Sequence, residues 1–153
     1  MAIWKIRYQR PATVIVGLAL AAGLLASAPA DASATPSTWV GSWNVPSNSW
    51  CAENAYAWCL YYSPNAKGGH FGSHTFGISN LSGYTFSGSG LAGAGDPVRN
   101  DAASMEDPSN CDLQVFVYPN YVGNSNEVAP GRGGNLNSSL RNNEASVANY
   151  NGC

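Results

Sequence analysis

RNDAASMEDPSNC (residues 99–111) and RNNEASVANYNGC (residues 141–153) are one thirteen-residue sentence written twice, 42 positions apart. Both copies read Arg, Asn, Asp or Asn, any residue, Ala, Ser, with Cys at the thirteenth place. An internal repeat of this kind marks a supersecondary unit that is built twice and packed against its copy. A second feature repeats upstream. Phe116-Val117-Tyr118-Pro119-Asn120-Tyr121-Val122-Gly123 runs aromatic, four residues, aromatic, one residue, Gly. Tyr61 to Gly68 keeps the spacing, with Ala66 where the second aromatic would stand. The physical sense is a folded hairpin: one aromatic packs over the turn, and Gly takes a backbone angle that a Cβ resists. Each half is then an aromatic hairpin followed by an Asn/Asp-rich turn that ends in Ser. The halves differ in length. Tyr61 and Asn100 are 39 positions apart, whereas Phe116 and Asn142 are 26 apart.

Strand signals surround the repeats. Residues 39–45 (WVGSWNV) alternate apolar and polar, residues 58–62 (WCLYY) are aromatic-rich, and residues 113–118 (LQVFVY) carry the strongest pattern. Pro-Asn, Gly-Gly and Asn-Asn pairs punctuate the chain, and helical spacing of apolar residues is scarce. Many short strands with frequent turns predict an all-β sandwich or barrel. The Gly- and Ser-rich stretch 79–97 reads as a long loop holding one strand at residues 83–86, and residues 137–140 read as a short helical turn.

The first 34 residues read as an export leader. Lys5, Arg7 and Arg10 precede the uncharged run 12–26, and small-residue cleavage patterns end at Ala30, Ala32 and Ala34. The run is shorter than the roughly 20 residues that span a bilayer. Cleavage between residues 30 and 34 and a secreted, extracellular product are expected. Residues 35–153 then form a single domain, its first half over about 39–110 and its second over about 111–153. That part has four basic and eight acidic residues, a net charge of −4. It has no basic patch for nucleic acid or an anionic membrane, and a monomer is expected.

All four cysteines, Cys51, Cys59, Cys111 and Cys153, follow the leader. An even count in an exported chain predicts two disulfides, for which three pairings are open. The repeat favours Cys51 with Cys59 as a local staple, and Cys111 with Cys153 tying the start of the second half to its end. None of the spacings is the short C-x₂₋₄-C of a zinc site.

The aromatic-x₄-aromatic-x-Gly hairpin, followed by an (N/D)-(N/D)-x-x-(S/T) turn, resembles the βγ-crystallin domain. That fold is a β-sandwich of two Greek-key motifs. Secretion, the two Cys pairs and the closing Cys are similar to one bacterial branch, the peptidase inhibitors of βγ-crystallin fold, whose founding member inhibits metalloproteinases. The resemblance spans roughly residues 39–153 and is closer in the second half. It implies a proteinaceous inhibitor of a secreted peptidase, a metallopeptidase first, which offers a rigid loop to the active-site cleft. No inhibitory residue carries over; residues 82–97 are the candidate loop by length and composition alone. A calcium-binding structural or stress module, and an antimicrobial killer-toxin-like protein of the same fold, are the alternatives.

In that family the turn helps to bind calcium, which takes several hard oxygen ligands in a flexible cage. The resemblance implies as ligands Asp101, the Ala102 carbonyl and Ser104 in the first turn. In the second turn it implies Asn143, the Glu144 carbonyl and Ser146. Asn100 and Asn142 would brace the turns by bonding the local backbone. Met105 and Val147 stand where the family has Ser and are expected in the core. Asn143 is neutral where an Asp would add charge, which weakens the ligand set.

Catalytic signatures are missing from the sequence, and a non-enzymatic protein is expected. His70 and His74 would lie about 13 Å apart on one face of a strand, too far for one metal ion. No Gly-x-Ser-x-Gly elbow occurs. With every cysteine paired, no thiol nucleophile remains, and the scattered acids show no recognisable glycosidase pair. Trp39, Trp43, Trp50 and Trp58 fall within twenty residues. Trp39, Trp43 and Trp58 are expected as core residues of short strands rather than as a sugar-stacking row. Asn80 and Asn137 open glycosylation sequons, a pattern that often arises by chance.

Overall fold

The computed structural model describes residues 37–150, with side chains to Asn149; the leader and Cys153 lie outside the described residues. Ten strands and one short helix follow in the order β1 (Ser37–Trp39), β2 (Gly41–Asn44), α1 (Trp50–Glu53), β3 (Trp58–Ser63), β4 (Lys67–Ser73), β5 (Gly77–Ile78), β6 (Ser104–Glu106), β7 (Asp112–Tyr118), β8 (Val122–Val128), β9 (Arg132–Asn135) and β10 (Ser146–Tyr150). They form two five-stranded sheets, ordered β1-β8-β7-β10-β5 and β2-β9-β6-β3-β4.

The repeat seen in the sequence is a repeat of topology. In the first half, β3 and β4 make a hairpin, β5 crosses to the other sheet, and β6 returns beside β3. In the second half, β7 and β8 make a hairpin, β9 crosses, and β10 returns beside β7. Each half is a Greek key that lends its third strand to its partner's sheet: β5 pairs with β10, and β9 with β6. The expected all-β, βγ-crystallin-like sandwich of two Greek keys is the architecture observed.

Between the sheets, Trp58, Leu60 and Met105 of one face meet Leu113, Val115 and Val147 of the other, all fully buried. Alternation along each strand produces this arrangement, because successive side chains point to opposite faces. Burying each large apolar side chain contributes about 1.5–3 kcal/mol over leaving it exposed. Met105 and Val147 lie in the core, as their apolar character in the two turns implied.

Three readings are corrected. Residues 39–45 are two strands rather than one. β1 runs parallel to β8 in one sheet, the chain breaks at Val40, and β2 runs antiparallel to β9 in the other. Alternation could not signal this, because each piece adds to a different sheet edge. Residues 83–86 form no strand; an isolated bridge joins Thr85 to Pro97. Trp39 is not a core residue but 59% exposed, because β1 is an edge strand. Trp43 is half-buried, with its indole N–H donating to Glu106, and Trp58 alone of the three is fully buried. Residues 137–140 do close a helical turn, in which the Arg141 N–H donates to the Asn137 carbonyl.

Candidate functional site

The two hairpin corners set the geometry of everything around them. Asn65, Ala66 and Gly68 in the first corner, and Asn120, Tyr121 and Gly123 in the second, all have positive φ. In each hairpin the register shifts just before the turn, between Tyr61 and Ser63 and between Phe116 and Tyr118. The turn serines lock these corners. Ser104 Oγ donates to the Ser63 carbonyl at 2.7 Å and accepts the Ala66 N–H at 3.0 Å. Ser146 Oγ donates to the Tyr118 carbonyl at 2.6 Å and accepts the Tyr121 N–H at 3.0 Å. Both serines are fully buried. The Ser that closes each Asn-rich turn is thus the tie between the fourth strand of its Greek key and the hairpin turn.

The two Asn-rich turns face each other across the halves. The Asn100 N–H donates to the Glu144 carbonyl and the Asn142 N–H to the Ala102 carbonyl, both at 2.9 Å. Asn100 and Asn142 have positive φ, a region that asparagine tolerates better than most residues. Between the turns lies the side chain of Glu144, fully buried. Its Oε1 accepts the N–H groups of Asp101 (3.1 Å) and Ala102 (2.9 Å), and its Oε2 accepts that of Asn143 (3.1 Å). Burial pushes the Glu144 carboxyl up to about 8, against the pull of the backbone N–H groups around it.

The structure places the six sequence-expected calcium residues in the two facing turns and at the start of β6 and β10, where most of them already make hydrogen bonds. Ser104 and Ser146 brace the corners, and the carbonyls of Ala102 and Glu144 each receive an N–H from the opposite turn. Asp101 is half-buried and Asn143 exposed, the latter's side-chain amide donating to the Ser139 carbonyl. Among the described residues, no group of three or more His, Cys, Asp or Glu side chains is placed to hold a metal ion.

Sequence reasoning missed three buried acids, Glu106, Asp107 and Glu127, the last of which accepts the Ser37 hydroxyl at 2.7 Å. Glu106 lies one residue past Met105 and accepts the Trp43 indole N–H (3.1 Å) and the Tyr61 hydroxyl (2.7 Å). Burial, together with this carboxylate, holds the Tyr61 phenol well above its ordinary range. Asp107 is fully buried; its Oδ1 accepts the Ser109 N–H, and its Oδ2 has no partner. Burial raises its carboxyl to about 6 despite the Ser109 bonds, with Asp112 adding to the rise. No local pattern distinguishes these acids from the solvated ones, so only the packing around them could reveal them.

Around the first corner sits a separate cluster. The Cys51–Cys59 disulfide joins α1 to β3, as expected, and packs with Tyr61, Trp50, Tyr56 and Ala66. The Trp50 ring stacks on His70 at 3.8 Å and lies 4.9 Å from Tyr56, which stacks on His74 at 4.5 Å. The two histidines are thus separated by two other rings. Gly72 makes room for Tyr56: a Cβ there would meet that ring at 2.5 Å. Cys111 is also disulfide-bonded, but the expected partner Cys153 lies outside the described residues.

The long segment 79–97 is strapped to β4 and to itself. His70 and Ser87 exchange backbone hydrogen bonds at 3.0 and 2.8 Å, and the Gly69 N–H donates to the Ala92 carbonyl at 2.7 Å. The Phe86 N–H donates to Asp96 and the Gly95 N–H to Phe86, both at 2.9 Å. Phe86 is buried edge-on to Tyr62, and Gly93, at φ 79°, is pressed so close to the Tyr62 ring that no Cβ would fit. Leu91, at the tip, is 45% exposed.

No family model matches the chain, and no curated protein matches it. Among solved structures, a βγ-crystallin domain from Flavobacterium johnsoniae is similar at 19% identity and a TM-score of 0.48, covering 63% of this chain and 98% of its own. A βγ-crystallin from Ciona intestinalis is 16% identical with a TM-score of 0.46, covering 61% and 98%. A βγ-crystallin domain from Clostridium beijerinckii is 16% identical with a TM-score of 0.46, covering 61% and 97%. What these share with the chain is the two-sheet architecture; no activity comes with it.

Proposed function

We propose that the protein is a secreted, non-enzymatic binding module that inhibits an extracellular peptidase, a metallopeptidase first, through the loop 82–97 of the segment 79–97. The observation that supports this reading is the state of that segment. It is long, uncharged from Ser79 to Ala94, and exposed at Leu91, yet it is held by backbone hydrogen bonds to β4 and by the buried side chains of Leu81 and Phe86. A loop that is already ordered loses little entropy on entering a cleft, which is the general route to tight inhibition. Leu91, between Gly90 and Ala92, is the side chain best placed to fill an apolar specificity pocket. The protein would act as a monomer, with no nucleic acid or membrane partner.

The test is a titration of the disulfide-intact protein into a thermolysin-like metallopeptidase and, in parallel, a subtilisin-like serine peptidase. Stoichiometric loss of activity in one, weakened at least tenfold by Leu91→Asp, is the expected result. Full activity of both in the presence of folded protein would sink the reading and leave the structural-module and antimicrobial alternatives.

A further inference from the structure

The fold family implies calcium between the two Asn-rich turns, and the residues present do not fit it. A calcium site needs free oxygens directed at one point. Here each turn serine has committed its hydroxyl proton to a hairpin carbonyl and one lone pair to a hairpin N–H. Each candidate backbone carbonyl already accepts an N–H from the facing turn. The turn groups that converge on the buried middle of the junction are N–H donors, those of Asp101, Ala102 and Asn143. Donors of this polarity attract an acceptor and repel a cation.

We propose that the Glu144 carboxyl group is a built-in ligand that takes over the cross-linking role of a metal ion, so that the two Greek keys lock without calcium. The residue is placed for it. Glu144 is the third residue of the second turn, and its side chain reaches the first turn, 43 and 42 residues back in sequence, to hold Asp101 and Ala102, while also closing on Asn143 in its own turn. One side chain thereby joins both repeats at their mutual interface. It is fully buried, so the bonds it makes are shielded from water, and stranding the three N–H groups would be costly. The first turn has Ala102 at the equivalent position and has no side chain to reciprocate. The lock is therefore one-sided, made by the second half alone. Its consequence is a module that is constitutively closed, whose binding surfaces do not wait for a calcium signal. This holds whether or not the partner is a peptidase.

Two measurements test it. In the first, the wild-type protein is melted in EDTA and in 10 mM calcium chloride. Equal melting temperatures, within about 1 °C, are expected; a rise of about 5 °C or more with calcium would overturn the proposal. In the second, amide resonances of Glu144→Gln are compared with wild type. Gln keeps one acceptor oxygen but places an NH₂ where Oε2 met the Asn143 N–H. Shifts at Asp101 and Ala102 as well as Asn143, with a melting temperature lowered by several degrees, are expected. Changes confined to residues beside position 144 would show that the side chain does not bridge the turns and would also overturn the proposal. Should the variant fail to fold, the calcium melt on the wild type still decides.

Discussion

The two Greek keys fold one backbone around two different corners. In the second, Phe116 and Tyr121 meet at 6.0 Å and fill the corner from within the hairpin. In the first, the residue at the equivalent place is Ala66, and the corner is filled from outside by the Cys51–Cys59 disulfide with Trp50 and Tyr56. Tyr61, the counterpart of Phe116, sends its hydroxyl to the buried Glu106; the matching position in the second half is Ala148. The corner serines, positive-φ residues and register shifts are the same in both. Backbone ties are thus kept where the conformation demands them, and side-chain packing is free to diverge where any filler of the right volume serves. The segment that fills the first corner also forms α1, so the first half depends on residues outside its own Greek key.

Variants can break this comparison. The largest effect is expected for Glu106→Ala, which leaves the Tyr61 hydroxyl and the half-buried Trp43 indole without their acceptor; a loss of about 3 kcal/mol follows from stranding two donors. Denaturant unfolding measures it. The change should loosen the first corner, seen in faster amide exchange of β3 and β6, with the second corner unaffected.

Asp107→Asn comes next. The folded-state carboxyl is raised to about 6 from an ordinary 3.8, so its contribution is fully present below pH 3.8 and lost as pH rises through 6. The wild type should therefore lose roughly 2–3 kcal/mol over that window from this group. Asn keeps the acceptor for the Ser109 N–H and does not ionise. Thermal melts from pH 4 to 7 should be flatter for the variant, which should be the more stable protein at pH 7. Glu144, raised to about 8, has a window of the same sign that extends higher, so some slope should remain above pH 6 in both proteins.

Ser104→Ala and Ser146→Ala sharpen the comparison. Each deletes a buried hydroxyl that makes the same two bonds, and each should cost about 1–3 kcal/mol. Equal losses would support the equivalence of the backbone ties; a difference beyond about 1 kcal/mol would show that the disulfide cluster already holds the first corner. The smallest effect is expected for Ala66→Gly. Ala66 has φ 53°, which glycine adopts without strain, so a gain of about 0.5–1 kcal/mol is expected in chemical unfolding.

Some of this was legible in the chain alone and some was not. The repeated turns, the aromatic hairpin spacing and the short strand runs are local patterns, each set by a φ constraint, a side-chain tie or a two-residue period. They sufficed for an all-β fold of two repeated halves and for the burial of Met105 and Val147, and the family resemblance they carry implied the two Greek keys. The cysteine count left three pairings open, of which the repeat favoured the Cys51–Cys59 staple that the structure shows. The split of residues 39–45 between two sheets, the exposure of Trp39 and the burial of Glu106, Asp107 and Glu144 were decided elsewhere. Each depends on which distant strand or turn lies opposite, and a residue at long sequence separation leaves no mark on the residues beside it. The turns illustrate the division. Their Asn, Asp and Ser residues determined a pair of tight, serine-tied turns, and the family resemblance that those turns carry implied calcium. Only the packing of one Greek key against the other aimed N–H groups into the junction and carried a glutamate side chain across to meet them, because hydrogen-bond polarity at an interface is set by how the two backbones are docked.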